Sequence, residues 1–271
     1  MYTAAASYLD ARAAGGRWLV RVEDIDLPRV VEGSATAILR TLHDFGFEWD
    51  GEVARQSLRT QHYQAALEQL TAAGLTFECS CSRSQLADEE RYPGYCRGAP
   101  LRPGHPTAMR VRIEPGYVEF TDRIQGRFRQ DVAAAVGDVV VRRRDQHFAY
   151  VLAVVVDDAA QGVTHVVRGA DLLDNTPRQL YLQRLLGLLP PSYAHVPLLT
   201  EPDGRKLAKS SRSVHLGAGA TLPQLLRVFR LLDLSPPAAL EDASLAEAWG
   251  WAIGHWDIEA VPKRLAFGLD S

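Results

Sequence analysis

Lys206 and Lys209 lie within four residues of each other, and with Lys263 they are the only lysines in a chain that carries 27 arginines. Arginine serves nearly everywhere a cation is wanted, so two close lysines mark a place that needs a compact, mobile ammonium rather than a planar fork. The plain alternative is chance in a polar loop. The stretch Glu201-Pro-Asp-Gly-Arg-Lys-Leu-Ala-Lys-Ser-Ser211 is glycine-hinged, cationic and hydroxyl-rich. Two ammoniums there suit a polyphosphate, whose charge grows on a leaving pyrophosphate during adenylate formation, and Ser210 and Ser211 add hydrogen bonds. A second cluster is Cys79, Cys81 and Cys96, all the cysteines of the chain. Three thiols within 18 residues are an odd number and make no disulfide framework, so a metal site is the better reading.

The elements around these residues alternate. Residues 2–14 read as a helix stopped by Gly15-Gly16, 17–22 as a strand, 33–45 as a helix ending at Gly46, and 60–73 as a helix ending at Gly74. Residues 76–125 change character, with the cysteines and three Pro-Gly steps, and read as an insertion, part strand and part loop. From Asp138 the alternation returns, with strands over 138–142 and 165–168 and a helix over 148–161. Thr176-Pro177 reads as a hydroxyl cap followed by proline at the first helical position. Residues 200–219 form a polar loop, and 221–226 and 244–253 look helical. Strands alternating with helices predict an α/β fold with a parallel sheet. The expected division is 1–75 and 126–200 as two halves of one nucleotide-binding domain, 76–125 as the metal-binding insertion, and 201–271 as the lysine loop with short C-terminal helices.

Composition limits the alternatives. The chain has 271 residues, 46% hydrophobic and 23% charged, which fits a globular protein with a substantial core. The longest apolar run, 148–156, is stopped by Asp157 and Asp158, and no secretory signal follows Met1, so a soluble cytoplasmic protein is expected. A net charge of −3 argues that any nucleic-acid partner must meet a local basic patch. There is no GxxxxGK[ST], GxSxG or HExxH, which argues against P-loop enzymes, that class of serine hydrolase and zincins.

Lys206-Leu-Ala-Lys-Ser210 resembles the KMSKS signature of class I aminoacyl-tRNA synthetases, with alanine where the family usually has serine. Arg21-Val-Glu-Asp-Ile-Asp26 with Pro28-Arg29 is similar to the RIEDTDxxR segment of glutamyl-tRNA synthetases, and Arg168-Gly-Ala-Asp-Leu-Leu173 with Thr176-Pro-Arg-Gln179 to their second substrate segment. The run Cys79-x-Cys81 with Tyr92-x-x-x-Cys96, and a chain of only about 60 residues after the lysine loop, resemble the glutamyl-Q tRNA(Asp) synthetase family, the short paralogues without an anticodon-binding domain. The resemblance covers essentially the whole chain and implies a Rossmann-type class I catalytic domain. It implies that Glu23 pairs with the ammonium of glutamate, that Arg168 grips its side-chain carboxylate and that Tyr150 lines the same pocket. It also implies that Lys206, Lys209 and Ser210 serve ATP, which arrives with Mg2+, and that Cys79, Cys81, Cys96 and Tyr92 hold a structural Zn2+ ion, with Tyr95 as the neighbouring candidate for the fourth ligand. The plain alternatives are a solvated Glu23, an ion pair of Arg168 with Asp171 or Asp157, a core Tyr150 and three free thiols.

Class I enzymes carry a HIGH-type motif at the end of the first strand, and this sequence has none. Met1-Tyr2 corresponds to the helix after that motif, so the expectation is that the first strand and half of the ATP site are missing, with activity impaired. The implied function is ATP-dependent activation of glutamate, without any need for RNA, and its transfer to the queuosine base of tRNA(Asp) by a monomer with no membrane contact. The alternatives are a shortened glutamyl-tRNA synthetase, expected to need its tRNA for activation, and a non-catalytic tRNA-binding remnant.

Overall fold

The computed structural model describes residues 1–25, 30–82, 84–200 and 221–268. Helices α1 (Tyr2–Ala13), α2 (Ser34–Asp44) and α3 (Thr60–Ala72) end close to the predicted stops. Gly46 shows why a glycine is required: its φ is 76°, and a Cβ there would lie 3.2 Å from the indole nitrogen of Trp249. That approach lets Trp249 donate to the Phe45 carbonyl at 2.9 Å. Trp249 sits in an aromatic cluster with Tyr8, Trp18, Phe47 and Phe229, with neighbouring ring centroids 4.8 to 5.4 Å apart. Edge-to-face pairs of this kind add to the burial of the rings. They seat α7 (Thr221–Leu231) and α8 (Leu245–Gly254) on α1, the second of these started by a capping box between Ser244 and Glu247.

Strand β1 (Arg21–Val22) pairs in parallel with β2 (Ala54–Arg55). The strand predicted over 17–22 is thus regular only at its end, although the Trp18 and Val20 carbonyls accept from the Asp50 and Ala54 amides. Among the described residues the remaining sheets comprise the antiparallel β3 (Thr76–Cys79), β4 (Ala108–Val111) and β7 (Val139–Arg142), the hairpin β5 (Tyr117–Asp122) and β6 (Gly126–Asp131), and two parallel pairs. Those pairs are β8 (His165–Gly169) with β9 (Ser192–Val196) and β10 (Leu198–Thr200) with β11 (Ala266–Gly268).

Two expectations are corrected. The strand at 138–142 does not extend the parallel alternation; it pairs antiparallel with β4 and so joins the sheet that carries Cys79. Alternating valines signal a strand but not its partner, and here Val139 and Val141 turn into a core with Leu70 of α3 and Leu152 of α5 (Tyr150–Ala160). The short helix α4 (Val132–Ala135) leads into it, capped by Asp131. Thr176 is not the cap of α6 (Thr176–Leu186): a 3-10 stretch over Ala170–Asn175 runs directly into the helix, and the Thr176 hydroxyl serves Arg168 instead. No helix among the described residues is long and apolar enough to cross a membrane.

Candidate functional site

Arg168 lies near the C-terminal end of β8, Glu23 directly follows β1, and Tyr150 opens α5. The carboxyl ends of parallel strands are where α/β folds collect ligands. The three side chains share one electrostatic neighbourhood. The Glu23 carboxyl remains partly exposed, yet the surrounding walls desolvate it and raise it above its usual range, against the pull of Arg21 and Arg168 and with the Asp158 charge adding to the rise. Desolvation and then the Glu23 charge push the Tyr150 hydroxyl up, with Arg168 opposing. Arg21 pairs with Asp158 at 2.8 Å and reaches Glu23 at 3.6 Å, so it sits between two carboxylates. Behind it, the fully buried Asp157 accepts from Gln56 (2.9 Å), Arg59 (2.6 Å) and Tyr63 (2.7 Å), which fixes α3 against the end of α5.

Arg168 is only 8% exposed. Its Nε donates to His195 Nε2 at 3.0 Å and its Nη2 to the Thr176 hydroxyl at 2.9 Å, while the guanidinium carbon stands 5.1 Å from the centre of the Tyr193 ring. Of the two ion-pair alternatives, Asp157 is not among the Arg168 hydrogen-bond partners and instead accepts from Gln56, Arg59 and Tyr63. A fork held in this way, within electrostatic reach of the Glu23 carboxyl, suits a ligand that carries a cation and a second anionic end. Lys206, Lys209 and Ser210 of the lysine loop lie outside the described residues.

The second cluster assembles as the spacing predicts. The three cysteine sulfurs lie within 4.8 Å of one another, with Cys81 and Cys96 at 3.5 Å. Tetrahedral zinc with bonds of about 2.3 Å needs sulfurs about 3.8 Å apart, so the set fits a metal such as zinc. Tyr92 is buried and its hydroxyl accepts the Cys96 amide at 2.9 Å, whereas Tyr95 is 55% exposed and its hydroxyl donates to Glu89. Tyr92 is therefore the oxygen within the cluster. Burial pushes the Cys81 thiol up to about 11. Burial also works against ionising Cys96, but the Ser80 amide and the Tyr92 hydroxyl outweigh it and bring that thiol down to about 7.

The cluster is fastened to the rest of the fold at two points. Arg97, next to Cys96, grips the buried Asp138 with Nε at 2.7 Å and with Nη2. The Tyr92 amide donates to Val136 at 2.9 Å, and the adjoining Gly137 has φ 74° with space so tight that a Cβ would fall 2.1 Å from the Tyr92 carbonyl oxygen.

Two residues beside Arg168 are absent from the sequence reading. His195 and Asp122 are both fully or nearly fully buried, and His195 Nδ1 meets Asp122 Oδ2 at 2.6 Å. They stand 73 residues apart in the chain, so no local spacing ties one to the other.

The family described as "tRNA synthetases class I (E and Q), catalytic domain" matches residues 1–96 and 97–226. A glutamyl-Q tRNA(Asp) synthetase of Ectopseudomonas mendocina (strain ymp) is 54% identical over 264 residues, which is 97% of this chain and 90% of that protein. One of Pseudomonas aeruginosa (strain LESB58) is 54% identical over 267 residues, with the same coverage. Among solved structures, a glutamate-tRNA synthetase from Elizabethkingia anophelis superposes with a TM-score of 0.79 at 23% identity. That match covers 98% of this chain and 64% of the larger one, and at this identity it speaks to the fold alone.

Proposed function

The chain belongs to the class I (E and Q) tRNA synthetases, in the group of the glutamyl-Q tRNA(Asp) synthetases, and from that premise we propose that it activates glutamate with ATP and transfers it to the queuosine base of tRNA(Asp). What supports this reading at the site is that Glu23 and Arg168 stand at the carboxyl ends of two parallel strand pairs, with the Arg168 charge acting on the Glu23 carboxyl. Free glutamate has an ammonium for Glu23 and a side-chain carboxylate for the guanidinium fork, and Tyr150 closes the side between them. Each group binds through a charge that the reaction does not consume.

In the first step the α-carboxylate oxygen attacks the α-phosphorus of ATP. The new acyl–phosphate bond forms as the bond from the α-phosphorus to the oxygen bridging it to the β-phosphate breaks, and pyrophosphate leaves; Mg2+, when bound to ATP, would offset charge on these phosphates. Lys206 and Lys209 stabilise the charge that grows on it, and Ser210 adds a hydrogen bond. In the second step a hydroxyl of the queuosine base attacks the acyl carbon, losing its proton as AMP departs, and an ester remains. In this reading Cys79, Cys81, Cys96 and Tyr92 hold a structural zinc ion with no open position, so the metal supports the fold and takes no part in either step.

The test is glutamate-dependent exchange of labelled pyrophosphate into ATP. Exchange in the absence of RNA is expected. Exchange that appears only once tRNA(Glu) is added contradicts the proposal and favours a glutamyl-tRNA synthetase.

A further inference from the structure

Arg168 cannot orient itself. A guanidinium on a flexible stem aims its fork only if neighbouring acceptors fix its nitrogens, and in this molecule one of those acceptors is an imidazole. Arginine stays protonated and offers donors only, so the 3.0 Å contact from Arg168 Nε requires a lone pair on His195 Nε2. The ring proton must then sit on Nδ1. At that position, 2.6 Å away, Asp122 Oδ2 accepts it.

Asp122 is itself held in place. Its other oxygen accepts the backbone amides of Ile124 (3.0 Å), Gln125 (2.8 Å) and His195 (3.1 Å). Three amides and an imidazole N–H are donors that only an ionised carboxylate satisfies in full. The ring lies parallel to Tyr193, 14° between planes, and the Thr176 hydroxyl that receives Arg168 Nη2 stands 3.3 Å from the Leu172 carbonyl and 3.2 Å from His195 Nε2, both of which can accept its proton. With Nε and Nη2 both anchored, the plane of the guanidinium and the direction of Nη1 are set.

We propose that Asp122 and His195 form a positioning relay that locks one imidazole tautomer and thereby aims the Arg168 fork at the side-chain carboxylate of the bound amino acid. The relay rests on the reading of Arg168 as the glutamate-binding cation. It makes His195 and Asp122 determinants of amino-acid specificity without contact to the substrate, and both are positioning residues rather than catalytic ones.

The sharpest test is Asp122→Asn, which keeps the three amide contacts through its remaining oxygen but turns an N–H towards His195 Nδ1. The ring must then accept at Nδ1 and carry its proton on Nε2, which faces Arg168 Nε at 3.0 Å and the Thr176 hydroxyl oxygen at 3.2 Å, so Arg168 Nε loses its acceptor. Titration calorimetry on Asp122→Asn is expected to weaken glutamate binding about tenfold or more, since a hydrogen bond to a charged group is worth that much, while the Kd for ATP changes less than about twofold. His195→Phe should do the same. His195→Gln, whose side-chain oxygen can reach the position of Nε2, should recover most of the loss.

Nitrogen NMR of the His195 ring gives a readout that mere destabilisation does not move: an Nδ1–H tautomer in the unaltered protein and an Nε2–H tautomer in Asp122→Asn. An Nε2–H or doubly protonated ring in the unaltered protein would overturn the proposal, as would equal losses of glutamate and ATP affinity. Arg168→Ala separates the two ideas. If it weakens glutamate binding while Asp122→Asn does not, the relay alone falls; if it leaves glutamate binding unchanged, the reading of Arg168 falls and takes the relay with it.

Discussion

At the scale of single residues, glutamate binding should depend on pH through Glu23. Desolvation raises the Glu23 carboxyl in the free protein, whereas a substrate ammonium beside it favours the ionised form. Binding therefore expels a proton whenever the pH lies near or below the raised value, and affinity for glutamate weakens as pH falls through that range. Calorimetry in two buffers of different ionisation enthalpy should show proton release on binding, growing towards acid pH. Glu23→Gln should bind more weakly at neutral pH and lose this dependence. Equal heats in both buffers would show that Glu23 does not meet the ammonium. The types of Glu23, Arg168 and Tyr150 and their places at element ends were legible in the sequence. The orientation of Arg168 was not, because it depends on a histidine and an aspartate brought together by β5 and β9 from distant parts of the chain.

At the scale of elements, helices were legible where a glycine stop ended an apolar pattern, as in α3 before Gly74, and α8 lies close to the span expected to be helical after Ser244. Strand partners were not, since the pattern of β7 is local while its antiparallel neighbour β4 is chosen by which face meets α3 and α5. The cysteine spacing was legible, and the fold settles which tyrosine lies beside it. The expected zinc content is about one ion per chain, read by elemental analysis of reduced protein. Cys96→Ser should release it and speed hydrogen exchange over residues 76–100 while the aromatic cluster around Trp249 stays protected, because closed structural sites contribute folding free energy locally. Metal-free protein with an unchanged exchange pattern would contradict this. Gly137→Ala tests the seating of the same cluster. It adds a Cβ against the Tyr92 carbonyl on top of the roughly 1–3 kcal/mol of a left-handed backbone. Gly74→Ala, at φ 69° with open space around the added carbon, bears only the backbone cost. Denaturant titration should rank Gly137→Ala as clearly the more destabilised, and equal losses would show that the Tyr92 contact can relax.

At the scale of the whole molecule, α7 and α8 pack onto α1 through Trp249 and Phe229, so the C-terminal helices complete the same core as the N-terminal helix and do not hang from it. The parallel pairs present Glu23 and Arg168 at their carboxyl ends, and the metal-binding sheet is tied to the same body through Asp138 and Gly137. Family membership brings glutamate and ATP to this body, and the proposal adds a modified base as acceptor in place of a tRNA 3′ end. The measurement that bears most directly on that claim is transfer of labelled glutamate, with ATP and Mg2+, to three RNAs in parallel: tRNA(Asp) carrying queuosine, tRNA(Asp) lacking it, and tRNA(Glu). Label on the queuosine-bearing tRNA(Asp) alone is the predicted result, and label on tRNA(Glu), or equally on both forms of tRNA(Asp), would contradict it.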